Sequence, residues 1–288
     1  MKANFYRIKC VTNMHMGSGD INFNIVDNEV QRDPVTGYPT MFSSGVKGAL
    51  RQHFANYDKV VELFGSDIKE SDSNGKSGST PGKLKFLSGN LLFLPVRASK
   101  GDQAYYMVTT KSLLMQFESL YQTVMGEEYF GNDRLDKIVE GKTYGNPDAE
   151  VDGLETTNEK LEGPLDECLI KKMIKVVNKI YELPKETPNQ DVDKIVIMKE
   201  SDLRKINLPV LARNQLENGI SQNLWYEEVV PHEAIFYTAV LSDGTHSGDA
   251  ALAEFDEYIK NNDLVQFGGN ATIGYGLTQI TKMSDKEA

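Results

Sequence analysis

A chain of 288 residues can bury a substantial hydrophobic core, and its length fits one elaborated domain better than two independent ones. Hydrophobic residues make up 40% and charged residues 25%, which is ordinary for a soluble globular protein and excludes neither an enzyme nor a scaffold. The net charge of -11 excludes a surface that is basic throughout, so a nucleic-acid contact would need a locally basic groove.

The sequence gives no support for a membrane span, a disulfide framework or a zinc site. No run approaches the roughly 20 apolar residues of a membrane span, and the first residues lack the apolar stretch of a signal peptide. Only Cys10 and Cys168 are present, in no metal-binding spacing, so neither a disulfide framework nor a zinc site is predicted. We therefore expect a cytoplasmic protein.

The N-terminal part predicts a strand, a long loop and a helix. Apolar and charged residues alternate over residues 6–10, which is the pattern of a half-buried strand. Residues 12–40 are rich in Gly, Asn, Asp and Pro and predict a long ordered loop. A helix follows, with Ser43 or Ser44 as its N-cap. Residues 67–82 are rich in Ser and Gly, and we expect a mobile loop there.

The remainder predicts alternating strands and helices that end in a β-α-β unit. The expected elements are strands at residues 84–96, 104–108 and 234–241 and helices at residues 113–121, 165–180 and 252–259. Residues 210–228 turn over at Asn218-Gly219, the commonest short hairpin signal. The closing β-α-β order suits a ferredoxin-like α+β core.

A first candidate site is the segment His15-Met16-Gly17-Ser18-Gly19 together with the loop that follows it. The glycines let backbone amides approach a ligand, and Asp27 would lie on the same loop surface as His15 and Arg32. A lone loop aspartate can equally hold a turn, however. His15 can likewise be a hydrogen-bonded structural histidine instead of a proton-transfer group.

A second candidate is the start of the helix after the long loop. A turn that contains Gly45 leads into the helix. The free backbone amides at the helix start and the helix dipole both favour the binding of a phosphate. Lys47 and Arg51 are four residues apart and would project side by side. The glycine-lysine spacing of a Walker A loop is absent. The alternative is an ordinary solvated helix face.

Two further segments lie near the end of the chain. Residues 268–276 contain four glycines, so the backbone must bend tightly there or lie against something flat such as a nucleic acid, although a glycine loop alone is a weak signal. Trp225 and Tyr226 could offer a stacking surface for bases, but packing in the core is the simpler expectation.

In their order along the chain, these segments resemble one family. The segments are His-x-Gly-Ser-Gly at residues 15–19, Val26-Asp27, Arg32-Asp33, Lys47-Gly48-Ala49-Leu50-Arg51, Trp225-Tyr226-Glu227-Glu228-Val229-Val230-Pro231 and the terminal glycine loop. They resemble the RAMP superfamily of CRISPR proteins over nearly the whole chain. Within it, the chain looks like the fourth-subunit family of type III-B (Cmr) effectors.

The resemblance implies a ferredoxin-like palm of the modified RNA-recognition-motif type, with helical insertions and a β-hairpin thumb in a single domain. The implied parts are a palm core at residues 1–56, 84–125 and 229–282, a finger region at 57–83, a helical insertion at 126–205 and a thumb hairpin at 206–228.

The resemblance also implies a function. The family's backbone subunits bind guide RNA and cleave complementary target RNA at regular intervals, using the target 2′-hydroxyl as nucleophile and a divalent metal, magnesium or manganese. Asp27 is implied as the catalytic and metal-binding residue, with His15 and Glu227 assisting. The implied RNA contacts are Gly17, Ser18, Gly19, Arg32, Ser44, Lys47, Arg51, Gly268, Gly269, Asn270, Gly274 and Gly276.

The implied partners are guide RNA, target RNA, further copies of the chain in a head-to-tail filament and other Cmr-type subunits. Three alternatives stay open on sequence alone. They are a non-catalytic RNA-binding scaffold, the equivalent backbone subunit of a type III-A complex, and a small-ligand-binding protein that uses the glycine loop.

Overall fold

The computed structural model describes residues 1–19, 25–66, 80–145, 150–151, 154–155, 167–178 and 194–283. The chain divides into two compact units. The first unit contains residues 1–90, 209–232 and 236–288, and the second contains residues 91–208 and 233–235. None of the described helices combines the length and apolar content that a bilayer crossing requires.

The strands and helices include those that the sequence predicts and several short ones that it does not, and the strand expected at residues 84–96 is divided into two. The strands are β1 (Ala3–Cys10), β2 (Thr40–Met41), β3 (Leu84–Phe86), β4 (Gly89–Lys100), β5 (Tyr105–Thr110), β6 (Glu150–Val151), β7 (Leu154–Glu155), β8 (Ile195–Met198), β9 (Val210–Glu217), β10 (Ile220–Glu228), β11 (Ile235–Ser242), β12 (Leu264–Gln266) and β13 (Leu277–Met283). The helices are α1 (Ser43–His53), α2 (Val60–Phe64), α3 (Lys111–Met125), α4 (Asn132–Asp136), α5 (Glu167–Asn178), α6 (Glu200–Leu203) and α7 (His246–Asn261), with a short 3₁₀ helix at Ala271–Ile273.

The first unit is built on a sheet with the strand order β12-β13-β1-β11. β13 pairs antiparallel with both β1 and β12, and β3 pairs antiparallel with β11. Helix α7 covers the face of β1 that carries Tyr6, because the Phe255 ring meets the Tyr6 ring edge-on at 5.5 Å. Phe54, just after α1, stacks on the same Phe255 ring at 5.2 Å. The core of this unit therefore lies between the sheet and helices α1 and α7.

The prediction of a half-buried β1 is wrong. Arg7 is only 1% exposed, and Phe5, Tyr6 and Ile8 are buried as well, so both faces of the strand are covered. Arg7 is buried together with its guanidinium, so this charged residue does not face solvent. The alternation of charged and apolar residues therefore did not mark a solvent face.

The predicted serine N-cap of α1 is also wrong. The cap residue is Phe42, and no side chain caps the helix by a local hydrogen bond. Instead, the side-chain oxygen of Gln31 accepts a hydrogen bond from the Phe42 amide at 2.9 Å. The partner comes from the preceding loop, so the helix start is set by a contact that local sequence does not reveal.

In the second unit, β5 pairs antiparallel with β4 and parallel with β8. The Thr110 side chain caps α3 by accepting from the Leu113 amide at 3.2 Å, as N-cap threonines do. On the buried face of α3, Glu118 accepts hydrogen bonds from the amides of Tyr129, Phe130 and Gly131 at 2.9, 2.7 and 3.2 Å. This one carboxylate fixes the turn that leads into α4.

The predicted hairpin and the middle helix are confirmed. β9 and β10 form their own two-stranded antiparallel sheet and turn at Asn218-Gly219, where both residues have positive φ. Helix α5 lies within the predicted range 165–180, and its Leu169 and Met173 are buried. Residues 67–79 of the predicted mobile loop lie outside the described residues. The naming of segments as palm, finger, insertion and thumb stays a prediction.

Candidate nucleic-acid interface

The long loop after β1 is ordered where it is described, because backbone hydrogen bonds fix it to the end of the hairpin. Met14 and Val230 exchange two such bonds, of 2.9 and 2.8 Å. The amides of Asp27 and Asn28 both donate to the Tyr226 carbonyl, at 3.1 and 3.2 Å, and the Glu228 amide donates back to the Asn28 carbonyl at 2.9 Å. The loop and the hairpin base therefore hold a fixed relative position.

Asp27 is exposed on this loop. Its Oδ2 atom accepts a hydrogen bond from the Tyr226 amide at 2.8 Å. Its Oδ1 atom has no hydrogen-bond partner among the described residues, so it remains available to a ligand. The carboxylate thus attaches the loop to the hairpin instead of holding a local turn, and this contact fixes the direction of its other oxygen.

His15 is largely buried beneath the loop, at 9% exposure. Its Nδ1 atom lies 2.7 Å from the Glu228 carbonyl oxygen, and since that oxygen can only accept, Nδ1 carries the hydrogen. Its Nε2 atom lies 3.9 Å from Glu227 Oε1. These contacts fit the structural interpretation of His15, and a part in proton transfer stays a prediction.

The two glutamates at the end of β10 are buried, at 4% and 7% exposure, and each is occupied by protein groups. Glu228 accepts from the Val30 amide at 3.0 Å and forms an ion pair with Arg32. Glu227 accepts from the side-chain amide of Asn270 at 2.7 Å. The segment Tyr226–Glu228 therefore gathers the loop, Arg32 and the glycine loop around the base of the hairpin.

Arg32 is committed in part to the protein. Besides the ion pair with Glu228, it donates to the Gly37 carbonyl at 3.1 Å. Its side chain is 39% exposed, and a guanidinium has five N–H donors, so donors remain for a phosphate. The predicted RNA contact of Arg32 is compatible with this geometry and is untested.

At the predicted phosphate grip, Lys47 and Ser44 are exposed on α1. Arg51 does not project freely beside Lys47, because its guanidinium donates to the Gly65 carbonyl. The start of α1 adjoins the glycine segment, since Gln31 bonds both the Phe42 amide and the Gly17 carbonyl, the latter at 3.2 Å. Lys47 is thus the exposed cation of the predicted pair.

The four glycines of the terminal loop divide into two kinds. A Cβ on Gly268 would lie 2.2 Å from the His15 carbonyl oxygen, and a Cβ on Gly276 would lie 1.8 Å from the Phe267 carbonyl oxygen. These two glycines are required by packing within the protein. Apart from the adjacent residues, a Cβ on Gly269 or Gly274 would meet no atom of the described residues within 4 Å, so the space beside it is open in that part of the chain. Gly19 is open in the same way.

The expectation that Trp225 and Tyr226 pack in the core is wrong. Trp225 is half-buried and Tyr226 is 39% exposed. Leu216, Ile220 and Leu224 on the same hairpin are more than half exposed, at 62%, 66% and 53%. Among the described residues, the sheet that carries them contains only β9 and β10, and these apolar side chains are exposed on it.

The comparison with known families agrees with this arrangement. The RAMP superfamily model matches residues 7–279. This chain belongs to the RAMP superfamily. The chain is 26% identical over 296 residues to the CRISPR system Cmr endoribonuclease Cmr4 of Pyrococcus furiosus, with 98% of this chain and 96% of the relative covered.

Solved structures show that the chain has the fold of RAMP proteins. It matches a chain of the cryo-EM structure of the type III-B Cmr-beta bound to cognate target RNA with a TM-score of 0.72, at 21% identity, covering 98% of this chain and 97% of the other. It matches the crystal structure of oligomeric Cmr4 from Pyrococcus furiosus with a TM-score of 0.67, at 21% identity and 98% coverage of both chains. The predicted ferredoxin-like α+β fold is confirmed.

Among the described residues of this RAMP protein, side chains alone do not form a metal site. Nowhere among them do three His, Cys, Asp or Glu side chains come together as ligands. Asp27 supplies one carboxylate, and one of its oxygens already accepts from Tyr226. Magnesium is often held by one or two carboxylates together with substrate phosphates, so an ion here would have to be shared with RNA.

Sequence reasoning about this RAMP protein missed Arg213 and Tyr275. The Arg213 guanidinium lies 5.4 Å from the centre of the Tyr275 ring, and its NH1 atom lies 3.5 Å from Glu227 Oε2. The contact depends on the register of the hairpin, in which Arg213 pairs with Trp225. A simple count from the Asn218-Gly219 turn does not give that register, because the pairing shifts between Ser221 and Asn223.

The second unit has a surface cleft of about 460 Å³ beside the ends of the parallel strands β5 and β8. Lys111, Lys142 and Lys199 line it together with Glu140 and Glu200. Lys111 is held in place by the Ile138 carbonyl at 2.8 Å. None of the site residues predicted from the sequence lines this cleft.

Proposed function

We propose that this protein is a guide-RNA-binding backbone subunit of a type III-B CRISPR effector and cleaves complementary target RNA at regular intervals through Asp27. The observation that carries the proposal is an exposed Asp27 carboxylate fixed to the base of a projecting, outward-facing apolar hairpin. The name of the Pyrococcus furiosus relative, a Cmr endoribonuclease, supports the same activity.

The chemistry needs little from the protein beyond geometry and proton transfer. RNA carries its own nucleophile, the 2′-hydroxyl, whose oxygen bonds to the scissile phosphorus as the bond from phosphorus to the 5′-oxygen breaks. Cleavage therefore needs these atoms in line, the 2′-hydroxyl proton accepted and a proton supplied to the leaving 5′-oxygen. Asp27 Oδ1 accepts the proton or orients the hydroxyl, while Oδ2 stays bonded to the Tyr226 amide and fixes the plane of the carboxylate. The hairpin distorts the guide–target duplex beside Asp27.

The RNA path proposed here follows the open backbone and the exposed cation around this site. It runs past Gly19, Gly269 and Gly274, where no described protein atom fills the space beside the backbone, and past Lys47 on α1. Phosphate contacts supply most of the sequence-independent affinity for RNA, so a few local cations can suffice on an acidic protein. A divalent ion, magnesium or manganese, would be held jointly by Asp27 and RNA phosphates.

The proposed partners are guide RNA, target RNA, further copies of this chain and other Cmr-type subunits. The structure of an oligomeric Cmr4 from Pyrococcus furiosus supports assembly of copies. A cytoplasmic location stays a prediction. A non-catalytic scaffold and a type III-A subunit would use the same RNA contacts, and they differ from the proposal in cutting activity and in companion subunits.

Sequencing the RNA that co-purifies with the tagged chain, expressed together with its companion subunits and a CRISPR array, tests the proposal. We expect a ladder of short RNAs that carry the repeat-derived tag, and a purified complex that cuts a complementary RNA at a constant interval. RNA-free monomers after nuclease-free purification would contradict the proposal and favour the small-ligand alternative.

A further inference from the structure

Glu227 is a buried carboxylate with both oxygens engaged. Oε1 accepts from the Asn270 side chain at 2.7 Å, Oε2 lies 3.5 Å from the Arg213 guanidinium, and the side chain is 5% exposed. A buried carboxylate is costly unless it is paired and hydrogen-bonded. The contacts of Asn270 and Arg213 therefore provide a partner for each oxygen of this buried carboxylate.

Arg213 joins two segments that are far apart in sequence. It lies on β9 of the hairpin, and its guanidinium also lies over the Tyr275 ring of the glycine loop at 5.4 Å. A planar guanidinium can stack on a ring and pair with a carboxylate at once, which a lysine ammonium cannot do in the same geometry. Arg213 therefore holds the base of the hairpin against the glycine loop.

Asn270 makes the matching contact from the side of the glycine loop. Its φ of 62° is left-handed, a conformation that asparagine tolerates better than most residues. Its side-chain amide is used on Glu227, within the protein. The backbone conformation of the loop and the attachment of the hairpin are thus linked through one residue.

The same base of the hairpin carries the proposed catalytic loop. Tyr226, the neighbour of Glu227, accepts from the amides of Asp27 and Asn28 and donates to the Asp27 carboxylate. We infer that Arg213 and Tyr275, with Asn270 and Glu227, form a hairpin brace that sets the position of Asp27 relative to the RNA path. The inference rests on the proposed function and makes Arg213 a positioning residue.

The hairpin brace and a direct RNA contact by Arg213 have different kinetic consequences. Loss of a phosphate contact weakens RNA affinity and reduces its salt dependence. Loss of the brace leaves affinity in place but misaligns Asp27, and a displacement of about 1 Å at a reacting group can slow a reaction about a hundredfold. Cutting rate and affinity must therefore be measured separately.

The test compares Arg213→Lys and Tyr275→Leu in the assembled complex with wild type, under single-turnover conditions at saturating target RNA. We expect both variants to cut at least about tenfold more slowly and at additional positions, with target affinity within about twofold of wild type. Tyr275→Phe keeps the ring and should recover the rate. Arg204→Lys is the matched control, since Arg204 forms a 3.5 Å pair with Glu200 in the second unit.

Wild-type rates and cut positions in both Arg213→Lys and Tyr275→Leu would overturn the inference. So would lost affinity with an unchanged saturating rate, because Arg213 would then be an RNA contact. If Arg213→Lys fails to assemble, the comparison of Tyr275→Leu with Tyr275→Phe decides. Asp27→Asn is measured in parallel. If this variant cuts normally, the proposed function fails. If it is inactive while Arg213→Lys and Tyr275→Leu are fully active, only the hairpin brace is rejected.

Discussion

The glycines near the proposed RNA path are of two kinds: some are required by packing within the protein, and others leave open space beside the backbone. Four glycines in nine residues predicted a special backbone, and the structure confirms it at Gly268 and Gly276, where a side chain would strike a carbonyl oxygen. The sequence could not tell these positions from Gly269 and Gly274, which face open space. The difference depends on what packs beside each residue, namely the carbonyl of the distant His15 for Gly268 and that of Phe267, at the start of the same loop, for Gly276.

We predict that Gly276→Ala destabilises the protein and that Gly269→Ala does not. The new Cβ of Gly276→Ala would lie 1.8 Å from the Phe267 carbonyl oxygen, and φ there is 73°, so the backbone would have to shift. We expect a loss of at least about 2 kcal/mol in the free energy of unfolding, measured by chemical denaturation. Equal stability of the two variants would contradict the packing argument.

Elements were predictable from sequence wherever their stabilising contacts are local or periodic. Helices α3, α5 and α7 and the Asn218-Gly219 hairpin lie where the apolar periodicity and the turn residues indicate. The start of α1 at Phe42 was not predictable, because the partner of the Phe42 amide is the distant side chain of Gln31. The face on which Arg213 lies was not predictable either, since a one-residue register shift in β10 turns every later side chain to the other face.

The attachment of α4 to α3 gives a prediction at the scale of elements. Glu118→Ala removes the carboxylate that accepts hydrogen bonds from three backbone amides, the shortest of them 2.7 Å long. The three amides would then be buried without this acceptor. We expect a loss of about 2 to 4 kcal/mol in the free energy of unfolding, and a smaller loss for Glu118→Gln, which keeps one oxygen. Glu127→Gln, at an exposed position, is the control. Unchanged stability of Glu118→Ala would show that the carboxylate does not hold the turn.

For the whole molecule, the net charge of -11 suggested a poor match to RNA, whereas the order of motifs pointed to a RAMP protein. Ion pairing leaves this net charge unchanged, but it decides which carboxylates face the proposed RNA path. Glu227 and Glu228 are buried and neutralised in part by Arg213 and Arg32, so they do not present negative charge to a ligand. Motif order predicted the fold, but the contacts among residues 15, 27, 213, 227 and 270 required coordinates.

Metal dependence is a prediction for the assembled complex. Since the described residues do not form a metal site by themselves, we expect EDTA to abolish cutting while leaving the melting temperature of the isolated chain unchanged. Magnesium or manganese should restore cutting. Full cutting in EDTA would contradict the involvement of a divalent ion, and a large fall in melting temperature would indicate a structural metal instead.

The most direct measurement is the single-turnover cutting rate of the assembled complex with Asp27→Asn and with Asp27→Ala. Asparagine keeps an oxygen for the Tyr226 amide but removes the charge, so it separates chemistry from loop structure. We predict that both variants cut about 10² to 10⁴ times more slowly, with unchanged target affinity, while the exposed control Asp58→Asn cuts normally. A normal rate for Asp27→Asn would contradict the account, because Asp27 would then only attach its loop to the hairpin.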